Sequence, residues 1–71
     1  MPRKVRELKA ELRRAGFDSR SGKGSHEVFG HPLVREAVSI AGGDGDDAKR
    51  YQERDVRTAL EELRAAQRRT P

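Results

Sequence analysis

The stretch GKGSHEVF, residues 22–29, places a cation, two glycines, a hydroxyl and an imidazole within five consecutive positions. The imidazole of His26 exchanges a proton near neutral pH, so it suits acid–base chemistry. Lys23 supplies positive charge, and the amides of Gly22 and Gly24 carry no side chain that would keep an oxyanion away. Ser25 offers a hydroxyl that could donate a hydrogen bond or orient the ring. Each residue also has a plainer reading: a lone strand histidine is most often a polar surface residue, Gly24 a turn residue and Lys23 a solvated charge. His31 is the competitor for a two-histidine acid–base pair. It precedes Pro32 at a strand end, and strand alternation directs it away from His26.

The elements that must hold this stretch are legible from periodicity. In VRELKAELRRAGF, Val5, Leu8, Leu12 and Ala15 recur at helical spacing, and Gly16 follows as a C-terminal glycine with Arg13 and Arg14 near the negative end. Phe17 then resumes burial. Two extended segments, residues 17–21 and 25–31, flank the glycine-rich turn as a hairpin. Alternation sets His26, Val28 and Gly30 against Glu27, Phe29 and His31, and the larger ring of Phe29 assigns its side to the core. EAVSIAG predicts a third strand with Val38 and Ile40 inward. GGDGDDAK, residues 42–49, reads as a solvated acidic loop, since it lacks the ligand pattern of a calcium loop. Val56, Ala59, Leu60 and Leu63 mark a second helix starting near residues 52–55, with Tyr51 packed beneath its start and a tail fraying over residues 66–71.

The expected architecture is therefore α+β, in the order α-β-β-β-α. A three-stranded antiparallel sheet carries two helices on one face and leaves the other open. The 71 residues suffice for one domain with a small core. There is no cysteine, so neither a disulfide nor a zinc knuckle staples it. No apolar run is long enough for a membrane span or resembles a secretory signal, which predicts a cytoplasmic protein without a membrane partner. Sixteen Lys and Arg against twelve Asp and Glu leave a formal charge of +4, which favours polyanions such as nucleic acid. Arg3, Lys4, Arg6, Lys9, Arg13 and Arg14 on the first helix, and Arg57 and Arg64 on the second, read by default as solvated faces.

Taken together, VRELKAELRRAGF, GKGSHEVFGHP and YQERDVRTALEEL resemble the HicA toxin family over nearly the whole chain. The resemblance implies a fold similar to the double-stranded RNA-binding domain and an mRNA-cleaving activity whose catalytic residue is His26, the histidine of a Gly-Ser-His motif. It also implies a HicB-family antitoxin partner. The acidic loop between Gly42 and Lys49 departs from shorter members, which bears on substrate preference more than on the reaction. The chemistry is compatible: RNA cleavage needs a proton taken from a 2′-hydroxyl and charge stabilisation at phosphate, with Lys23, Gly24 and Ser25 as RNA contacts and neither metal nor cofactor required. The alternative is a non-catalytic module that grips RNA shape through phosphate and 2′-hydroxyl contacts.

Overall fold

The computed structural model describes residues 3–69. Its elements follow the expected order: α1 (Val5–Arg14), β1 (Asp18–Ser21), β2 (Glu27–Gly30), β3 (Val38–Ile40) and α2 (Arg50–Arg69). The strands form one antiparallel sheet in the order β1-β2-β3.

The end of α1 is set by glycine. Gly16 has φ +96°, and its N–H donates to the Arg13 carbonyl while the Phe17 N–H reaches back to Leu12, both at 3.0 Å. This paired pattern is a Schellman motif, which satisfies orphan carbonyls and turns the chain. Phe17 is thereby delivered into the core that already holds Leu12. The expected first strand thus loses its first residue to the helix ending.

Register fixes which face is buried. Phe29 lies opposite Ser19 and Val38, and Glu27 opposite Ile40; Phe29, Val38 and Ile40 are all buried. They pack against Val5, Leu8 and Leu12 of α1 and Val56, Ala59 and Leu63 of α2 in one apolar cluster. The opposite face carries Arg20, Val28 and Ser39 in one cross-strand row and has no helix over it. The inward assignment of Phe29 is correct.

Three expectations change. The loop over residues 42–49 is exposed along most of its length but is docked, because Ala48 is buried and donates its N–H to the Arg3 carbonyl at 2.7 Å. Its carbonyls also cap α1: Asp46 accepts from the Val5 N–H at 2.9 Å and Asp44 from the Arg6 N–H at 3.3 Å. Lys4 at the N-cap has no side-chain oxygen to do this, so the donors of the first turn take loop carbonyls instead.

Secondly, α2 begins at Arg50, so Gln52 rather than Tyr51 falls one turn before Val56 on the inward face. Tyr51 is 47% exposed and Gln52 only 4%. The Gln52 Oε1 accepts from the Lys49 N–H and its Nε2 donates to the Ala41 carbonyl, both at 2.9 Å. It caps α2 from the third helical position and ties the helix to the end of β3. Thirdly, α2 extends as a helix through Arg69 with Ala66 buried, past residue 66, the expected start of the frayed tail; Thr70 and Pro71 lie outside the described residues.

Among the described residues no helix is long and apolar enough to cross a membrane. Gln52→Ala leaves the half-buried Ala41 carbonyl and a helix-capping N–H without their partner, at a cost of about 1–3 kcal/mol. A urea titration should show an earlier midpoint with an unchanged slope, and an unchanged midpoint would remove Gln52 from this role.

Candidate functional site

Lys23, Gly24, Ser25 and His26 sit together in the exposed turn between β1 and β2, ahead of β2 rather than within it. The turn is closed by two backbone hydrogen bonds, from the His26 N–H to the Lys23 carbonyl at 3.1 Å and from the Gly22 N–H to the His26 carbonyl at 2.8 Å. Gly24, at the first central position, has φ +61°, whereas Ser25 keeps a negative φ. That sign pattern is the type II′ turn, which matches hairpin twist and demands glycine first. Gly22 is needed for closeness instead: a Cβ there would stand 3.2 Å from the His26 Cβ. Its amide is committed to the hairpin and is not an anion donor.

The ring of His26 is oriented by its own turn. Its Nδ1 lies 2.9 Å from the Lys23 carbonyl oxygen. A carbonyl only accepts, so in the neutral ring Nδ1 carries the proton and Nε2 presents its lone pair. The residue is exposed, so Nε2 meets whatever approaches the hairpin tip. Ser25 does not orient the ring, because its Oγ accepts from the Gly42 N–H at 3.3 Å and joins the tip to the segment after β3. Lys23 contributes its carbonyl to His26, and its side chain is exposed.

His31 is built differently. Its Nδ1 accepts from the Leu33 N–H at 3.0 Å, which places the proton of the neutral ring on Nε2, and its ring lies 5.4 Å from that of Phe17. It stands beyond the opposite end of β2 from His26, about 16 Å along the chain at strand rise. The two histidines do not form a catalytic pair, and His31 holds the turn that leaves β2.

The hairpin is anchored by a charge cluster whose cations periodicity alone assigned to solvent. Lys9 is only 7% exposed, with its ammonium 3.3 Å from Glu27 Oε1 and 3.4 Å from Asp44 Oδ1. Arg13 completes the pair at 2.8 Å from Glu27 Oε2, and its guanidinium carbon lies 5.4 Å from the Phe29 ring centre. Helix α1 thus holds β2 one residue after His26, and the acidic loop holds the same ammonium. A signal for Lys9 was present: Val5, Leu8, Lys9 and Leu12 follow the i, i+3, i+4, i+7 spacing of a buried stripe. Nothing local announced Glu27 as its partner.

Burial pushes the Glu27 carboxyl upward, but hydrogen bonds from Ser19 and Lys9 and the charges of Lys9 and Arg13 outweigh it and hold the group below its ordinary range. Among the described residues no group of three or more His, Cys, Asp or Glu could hold a metal ion.

Residues 5–67 match the family model described as HicA toxin of bacterial toxin-antitoxin. No curated protein and no solved structure matches the chain.

A depressed carboxylate stabilises the fold fully above its unfolded value, about 4.3, and loses that contribution as pH falls through the lower folded value. Glu27→Gln should therefore be less stable than the parent at pH 7, with the gap closing in acid below about pH 4. Urea midpoints at pH 7 and pH 3 measure it, and a gap independent of pH would show that the carboxylate charge is not what anchors the hairpin.

Proposed function

From the premise that the chain belongs to the HicA toxin family, and is the toxin of a toxin–antitoxin system with an antitoxin partner, we propose that it is an endoribonuclease cutting mRNA through His26. The observation that carries this reading is the 2.9 Å contact from His26 Nδ1 to the Lys23 carbonyl, which supports Nε2 as the basic atom at an exposed tip.

In the proposed reaction Nε2 takes the proton of a 2′-hydroxyl. The oxygen attacks the adjacent phosphorus, the bond to the 5′-oxygen breaks, and the products are a 2′,3′-cyclic phosphate and a 5′-hydroxyl that takes its proton from solvent. Charge accumulates on the phosphate oxygens, where the Lys23 ammonium and the amide of Gly24 stabilise it. Ser25 belongs to this RNA contact by position while it holds the tip to Gly42. Every group invoked is a side chain or amide of the turn, so the reaction is proposed to run without metal. The antitoxin, proposed to be of the HicB family, neutralises the toxin by covering the tip.

The test is cleavage of a mixed RNA in the presence of chelator by the parent protein and by His26→Ala. His26 is exposed, so the variant should fold as the parent does, to within about 0.5 kcal/mol. Loss of a general base should slow cutting by roughly 10²–10⁴-fold. Equal cutting by both proteins would dismiss His26, and binding without cutting by a folded parent would favour the non-catalytic RNA module.

A further inference from the structure

The second helix carries a feature that the hairpin does not use. Arg50, Arg54, Arg57, Glu61, Arg64 and Arg68 recur at alternating intervals of four and three residues along α2. With 3.6 residues per turn this spacing keeps all six on one narrow strip, about 27 Å long. Val56, Ala59 and Leu63 are buried on the opposite side of the helix, and all six strip residues are exposed. Five arginines against one glutamate give the strip a formal charge of +4, equal to that of the whole chain. The remaining charges cancel.

Among the described residues, four of the sixteen basic residues are held in ion pairs, and what sets the strip apart from the other unpaired cations is its regular spacing on one helix face. Arg3, Lys4, Lys9 and Arg13 are engaged by Glu7, Glu11, Glu27, Asp44 and Asp47. None of the five strip arginines makes an ion pair among the described residues. Unneutralised arginines at regular intervals suit a ligand with regularly spaced anionic groups, which guanidinium can bind in bidentate fashion. A protein partner would also need an apolar centre to its interface, and the strip contains no apolar side chain. Mutual repulsion disfavours a second copy of the chain.

We propose that this arginine strip is a sequence-independent docking surface for the phosphate backbone of single-stranded RNA, separate from the hairpin. Its choice of RNA over other polyanions rests on the ribonuclease reading. The strip supplies affinity and salt dependence, whereas His26 supplies the chemistry.

The experiment measures binding of a labelled 20-nucleotide single-stranded RNA over a range of salt, in a His26→Ala background so that the probe stays intact. Arg54→Gln, Arg57→Gln and Arg64→Gln are combined in one variant. Arg6→Gln, Arg35→Gln and Arg69→Gln, off the strip, are combined in a control that removes the same charge. At about 0.7 of slope per neutralised phosphate, the strip variant should lose about two from the log–log salt slope and roughly tenfold to a hundredfold in affinity near 0.15 M salt. The control should lose much less. Equal losses in both variants, or parent-like binding by the strip variant, would overturn the proposal, as would parent-like RNA binding together with loss of an acidic protein partner. With native His26 restored, strip-dependent binding without any cleavage would leave the docking surface standing and remove the ribonuclease reading alone.

Discussion

The ammonium of Lys9, almost closed off from water between Glu27 and Asp44, is the contact on which the working end of the molecule depends. A buried charge is tolerated only when it is paired, so the strand, the loop and α1 must meet at one point. Removing any one of the three groups would leave another charge poorly compensated. The small apolar cluster holds the helices on the sheet, but it does not specify where the hairpin tip stands relative to the acidic loop. The Lys9 cluster does so, with help from the Ser25–Gly42 hydrogen bond.

This arrangement explains why an exposed turn can carry an oriented imidazole. The positive φ of Gly24, the close approach allowed by Gly22 and two backbone hydrogen bonds define the turn, and the Lys23 carbonyl then selects the tautomer of His26. Gly22, Lys23 and Gly24 serve as scaffold through their backbones, and Ser25 through its hydroxyl on Gly42. The turn end of the hairpin is held by ions at Glu27, whereas its base is held by the buried rings of Phe17 and Phe29; β1 itself is exposed at all four residues.

Charge is distributed to match. Arg3 and Lys4 ahead of α1 and Lys9 and Arg13 on it pair with carboxylates of α1, the loop and the hairpin, while α2 turns its unpaired arginines outward. The acidic loop is part of this economy, since its aspartates neutralise α1 and its carbonyls cap the start of that helix. An insertion that looks like a detached, solvated segment is therefore integral to the first helix.

Read alone, the sequence determined the element order, the glycine that ends α1, the hairpin around Gly24 and the inward face of Phe29, Val38 and Ile40. Those features are local: they follow from a period, a left-handed backbone angle or an alternation confined to a few neighbouring residues. It also singled out His26 and its turn as one cluster. Only the tertiary structure decided that Gln52 is buried and Tyr51 exposed, that Ser25 serves Gly42 instead of the ring, that the His31 ring caps the turn after β2 beside Phe17, and which cations are paired. Gln52 depended on a helix start two residues earlier than its acidic signals suggested, and the partners of Lys9 lie 18 and 35 residues away in the chain. Such pairings are set by how strands and loops are stacked on the helices, and no one-dimensional period encodes that distance.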